Sequence, residues 1–157
     1  MAALKENPFK TIYVADKIDI KIRKIREINN KYLDEFEQYL KETGLSKKTI
    51  ENHLLNLDVY LNSYLVRTEN DILDWSMEEG CYALDGFLGY YFIKKCMWSS
   101  PSQTRSCIAG IKKFYKFLFG KGAISKVAYN DMLQIIKEEK NNWIRACKEY
   151  NESIGIY

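Results

Sequence analysis

The residues best placed to do chemistry are hydroxyl and basic side chains, and the chemistry they suit is phosphate binding. In Gly44-Leu45-Ser46-Lys47-Lys48-Thr49, Ser46 is placed to cap a helix, its hydroxyl satisfying an orphan backbone N–H, with Thr49 assisting in the first turn. Lys47 and Lys48 then fall at the positive end of the helix macrodipole, where cations are least favoured. An external phosphate would account for them. So would a solvated polar face, and this stretch leaves both readings open. Charge along the chain is also segregated. From Thr68 to Ile93 stand six acids (Glu69, Asp71, Asp74, Glu78, Glu79, Asp85) and no Lys or Arg. From Ser99 to Lys126 stand six bases (Arg105, Lys112, Lys113, Lys116, Lys121, Lys126) and no Asp or Glu. A net charge of +3 therefore permits one face to be far more basic than the average.

Catalytic and metal chemistry find less support. The one histidine, His53, has no recognisable acid–base partner and reads as a hydrogen-bonded structural residue. The four cysteines, Cys81, Cys96, Cys107 and Cys147, lack any CxxC spacing and read as small buried hydrophobes in a reducing cytoplasm. No metal site and no cofactor is expected. Walker-type phosphate loops, HExxH and GxSxG are absent, and the carboxylates are scattered. Trp75, Trp98 and Trp143 read as core or interface aromatics. No run of about 18 apolar residues suggests a membrane span, and the N-terminus lacks the apolar core of a signal peptide.

The elements that must position these residues are helices. The 157 residues suit one domain with an appended arm or helix. Residues Met1 to Val14 read as an arm, since Pro8 is foreign to a helix interior and Thr11-Ile12-Tyr13-Val14 is β-branched and aromatic. The next stretch fits either a strand or, better, a helix, with a basic side of Lys17, Lys21, Arg23, Lys24 and Arg26. A helix is expected over 29–43, capped by Asn29 or Asn30 and stopped by Gly44. The second helix runs from about Lys47 to Leu65 on the stripe Ile50, Leu54, Leu57, Leu61 and Leu65, with Asn52 off it. Asp71 to Trp75 is expected to turn, with Trp75 plugging the core. A third helix is expected over about 77–98, apolar on most of its circumference and interrupted by Gly80, Gly86 and Gly89, which would permit close approach or an irregular start. Pro101 and Ser102 start and cap a fourth helix ending at Gly120-Lys121-Gly122. Its buried stripe is Ile108, Ile111, Phe114 or Tyr115, and Leu118; Gln103, Thr104, Arg105, Lys112, Lys113 and Lys116 form its polar side. A fifth helix follows from Ser125 or Lys126, with Lys140 interrupting its apolar stripe.

Two stretches then resemble a known family. The run Tyr32-Leu33-x-x-Phe36-x-x-Tyr39-Leu40-x-x-x-Gly44-Leu45-Ser46-x-x-Thr49-Ile50-x-x-x-Leu54-x-x-Leu57 is similar to the opening of the core-binding (SAM-like) domain of phage integrases and other tyrosine recombinases. The run from Ser102 and Thr104 through Ile108, Ile111, Lys112, Phe114, Tyr115, Phe117 and Leu118 to Gly122 and Ile124 resembles that domain's last core helix and exit. The resemblance covers about 28–124. It implies an all-α, four-helix orthogonal bundle, to which this chain adds a basic N-terminal arm or helix extension over 1–27 and a fifth helix and tail over 125–157. It further implies a clamp on double-stranded DNA. Carried over, Ser46, Lys47, Lys48 and Thr49 would contact the DNA backbone at one helix start. Gln103, Thr104 and Arg105 would do so at the other, with Lys112 and Lys113 further along. Asn52, His53, Gln103 and Arg105 are candidates for base readout, which the sequence leaves unassigned. The chain departs from the family in one respect: His53-Leu54-Leu55-Asn56 is no His-x-x-Arg motif, and no downstream catalytic domain follows before Tyr157. The expectation is a non-catalytic DNA-binding fragment or accessory of a recombination or mobile-element system, cytoplasmic and without membrane attachment. Two rivals remain: a protein-interaction or self-association module docking through the C-terminal helix with Trp143 and Tyr150, and a remnant enzyme using a terminal tyrosine.

Overall fold

A computed structural model describes the backbone of residues 8–67 and 76–155 and the side chains of residues 17–66 and 76–155. Among the described residues the chain is helical, with no strand. Helix α1 spans Pro8–Glu42 as one element. From Pro8 on, the arm and the separate start at Asn29 are thereby corrected; residues 1–7 of the expected arm lie outside the described residues. Pro8 opens the helix, where its missing N–H costs nothing and its fixed φ suits the first turn. Asn29 is no cap but a buried mid-helix residue, and its amide donates to Leu61 O (3.2 Å) and Asn62 Oδ1 (2.9 Å). Gly44, with φ +81°, closes the turn into helix α2, Lys47–Asp58.

The second helix does not continue as a regular α-helix to Leu65. It widens into a π segment over Val59–Tyr64 and tightens into a 3₁₀ turn over Leu65–Arg67. Widening re-aims carbonyls out of the regular ladder. Two of them are met from α1: Leu61 O by Asn29 and Asn62 O by Arg26 Nε (3.1 Å).

The expected third helix is broken: a 3₁₀ turn Met77–Cys81, α3 (Leu84–Gly86), a π segment Phe87–Tyr91, and α4 (Phe92–Lys95). The break has a packing cause. Tyr60 OH donates to Gly80 O (2.6 Å) and Tyr115 OH donates to Met77 O (3.1 Å), so two buried phenols take over carbonyls of the turn. Gly80 must be glycine for this, because a Cβ there would stand 1.7 Å from the Tyr115 hydroxyl. The Asp71–Trp75 turn lies outside the described residues.

Helix α5 is Pro101–Gly120, and α6 is Lys126–Ser153, capped by Ser125. Ser100, not Ser102, caps α5: its Oγ accepts from Gln103 N (3.0 Å), and Pro101 takes the first helical position. The core joins all the long helices. Phe36 of α1 packs edge-on against Phe114 of α5, and Leu57, Tyr60 and Leu61 meet Leu84, Phe87 and Ile111 in one buried cluster. Helix α6 contributes Ala128, Met132, Ile136 and Trp143 to the same cluster. It runs antiparallel to α5, stacking Tyr129 on Phe119 at one end and bonding Asn151 Nδ2 to Ser99 O (3.1 Å) at the other.

Candidate nucleic-acid interface

Helices α2 and α5 lie side by side and antiparallel, joined by a polar seam. Asn52 Nδ2 donates to Ser106 Oγ (2.8 Å), and Asn56 Oδ1 accepts from Trp98 Nε1 (3.0 Å) just before α5 begins. His53 is 3% exposed and lies against Gly110; a Cβ at Gly110 would stand 2.8 Å from His53 Nδ1. Neither ring nitrogen has a hydrogen-bond partner within the protein. Burial, and next the charge of Lys113, push the His53 pKa below its ordinary value. The imidazole is thus held neutral and inside. The expected hydrogen-bonded histidine is corrected to a buried one without a protein partner, and it is not presented for base readout.

The start of α2 is exposed and pre-shaped. Ser46 Oγ accepts from Thr49 N (3.2 Å) and donates to Thr49 Oγ1 (2.9 Å). Lys47 reaches Glu51 only at 3.9 Å with both side chains in solvent, a pair of little energetic weight. Lys48 is exposed. Along α5, Arg105, Lys112, Lys113 and Lys116 are exposed. Gln103 is half-buried with its Oε1 unpartnered. Thr104 is a correction. It is fully buried, its hydroxyl donates to Ser100 O (2.8 Å), and it faces the Cys147 thiol of α6, so it cannot touch an outside ligand. Asn52 is half-buried and occupied by Ser106.

Two concave surfaces gather the bases. One, of about 480 Å³, is lined by Arg105, Ile108, Ala109, Lys112, Lys113, Lys116, Tyr129, Leu133 and Lys140. Five of these residues are cations and none is an acid. The other, of about 250 Å³, is lined by Tyr39, Thr43, Leu45, Lys113 and Lys116. Lys113 and Lys116 belong to both, so the two concavities adjoin along α5, the second reaching Thr43 and Leu45; Lys47 lines a separate concavity with Lys41, Glu37 and Glu51. Lys116 and Lys140 join the site in the fold without being marked by either resembling helix start. The visible signal for Lys140 was its interruption of an otherwise apolar stripe.

The first of the two resembling stretches has a direct counterpart among known families. Residues 7–64 match the family model of the phage integrase SAM-like domain. This segment is similar to the integrase-type, N-terminal core-binding domain. The SAM-like match reaches further toward the N-terminus than the resembling stretch, taking in the whole of α1 together with α2 and its π segment. No catalytic-domain match accompanies it. No curated protein matches the chain, and no solved structure does. Among the described residues, no helix is long and apolar enough to cross a membrane.

Proposed function

We propose that the protein binds double-stranded DNA without cutting it, mainly through phosphate contacts from the α2–α5 face. The observation that carries this reading is the basic concave surface of Arg105, Lys112, Lys113, Lys116 and Lys140 in a chain with an integrase-like SAM-like segment; Ser46, Lys47, Lys48 and Thr49 at the start of α2 stand with it as proposed contacts. Exposed bases next to a capped helix N-terminus suit the phosphate backbone, which supplies position rather than sequence. Gln103, at the opposite end of the seam, is the remaining polar contact. The setting that fits is an accessory of a recombination or mobile-element system. Four free, buried thiols agree with a reducing cytoplasm.

The test is fluorescence anisotropy of a random duplex across a salt series, with Lys47→Glu/Lys48→Glu and Arg105→Glu/Lys112→Glu beside the parent. Affinity should fall linearly in log–log with salt, and each double variant should flatten the slope. A folded parent that leaves the duplex free at low salt would end this reading. The rival of docking through α6 loses one of its two anchors: Trp143 is 2% exposed, with its indole N–H on Asp85 Oδ1 (2.8 Å) inside the chain.

A further inference from the structure

Helix α6 lies beyond the segment that matches the SAM-like family, yet it supplies one wall of the basic groove. Lys140 faces Arg105, Lys112, Lys113 and Lys116 across a floor of Ile108, Ala109, Tyr129 and Leu133. Among the described residues, none of these five cations has a carboxylate within ion-pair distance. The nearby acids of α6 are engaged elsewhere: Asp131 accepts from Tyr82 OH (2.7 Å), Glu138 from Gln134 (2.7 Å) and Glu139 from Asn142 (3.1 Å). Five like charges around one groove repel one another, and an anion of several charges relieves that repulsion. From Arg105 to Lys116 the helix rises about 16 Å, the axial length of about five phosphates of one DNA strand.

We propose that α6 is part of the DNA-binding surface, and that Lys140 closes a five-cation groove around one phosphodiester strand of the bound duplex. The inference rests on the DNA-binding reading above and adds an element to it. A groove open along its length and cationic on both walls suits a polyanion that passes through, and its charge complements a phosphate strand.

The experiment compares Lys140→Gln with Lys137→Gln, an exposed lysine of the same helix that does not line the groove. Both remove one charge, so any difference reports position. Circular dichroism and thermal melts confirm that both are folded. With the random duplex as probe, Lys140→Gln should reduce the log–log salt slope by about 0.9, the release of one counterion, while Lys137→Gln leaves it unchanged. Equal slopes for both variants and the parent, with the parent binding DNA, would overturn the role of α6 and leave the α2–α5 reading standing. Equal losses in both would reduce the effect to net charge and also overturn it. Tighter competition by a poly-glutamate peptide than by a duplex of equal charge would assign the groove to an acidic protein instead. A parent that binds no duplex removes the DNA reading and this inference together.

Discussion

His53 shows how one residue can hold two helices in register. Its ring occupies the space that a side chain at position 110 would need, so α2 and α5 approach closely only because residue 110 is glycine. Gly110→Ala should push the ring or the helix aside and cost about 1–3 kcal/mol, read as a lowered urea midpoint with unchanged m-value. The ring's titration gives a second prediction. Its folded pKa lies below the unfolded value of 6.5, so the unfolded chain binds the proton more readily. The associated stability is complete above about pH 6.5 and declines as pH falls toward the folded pKa. Thermal melts should therefore drop between pH 7 and 5, and His53→Gln should flatten that segment of the profile. Tyr60 and Tyr115 act with the opposite sign. Burial raises both phenols well above 10, so their contribution is lost as pH rises past the unfolded value. Removing the Tyr60 hydroxyl, as in Tyr60→Phe, leaves Gly80 O buried without its donor and should cost about 1–3 kcal/mol.

At the scale of elements, apolar periodicity located the long helices, because a stripe at helical spacing has one way to reach a core. The fifth helix begins where it was expected, at Lys126, and cap chemistry placed Ser46 correctly. It misplaced the cap of α5 by two residues, since Ser100 and Ser102 flank Pro101 with the same chemistry and only the extended backbone at Ser100 separates them. What periodicity does not carry is the pair of π segments and the broken stretch between Met77 and Lys95. Those depend on long-range bonds from Asn29, Arg26, Tyr60 and Tyr115, which no local window contains. Helix α6 reads in sequence as an appendage with aromatics at its far end, and in the fold it shares the main core. Trp143→Ala should accordingly destabilise the whole protein by about 3–5 kcal/mol, measured by chemical denaturation, because it empties a large buried site and strips Asp85 of its donor.

For the molecule as a whole, charge segregation announced a basic face, and the fold gives it a shape. The bases of α5 share one side because they recur at helical spacing, and α1, α2 and α6 then decide what stands beside them. The resemblance chose the residues at the two helix starts by position alone. The fold keeps Lys47, Lys48, Arg105, Lys112 and Lys113 on the outside, turns Thr104 inward and adds Lys116 and Lys140. Inward or outward could not be told for Thr104 from sequence, because its neighbour in space, Cys147, lies on a helix more than forty residues away.

The central claim is that a duplex lies on the α2–α5 face, and it is tested most directly by adding random duplex to the ¹⁵N-labelled protein and recording amide shifts at low salt. The account predicts that the largest shifts cluster over Ser46–Thr49 and Arg105–Lys116, and that they collapse as salt is raised. Shifts centred instead on the exposed Met97, which is 98% exposed beside Trp98, or no shifts at all in the folded protein, would contradict it.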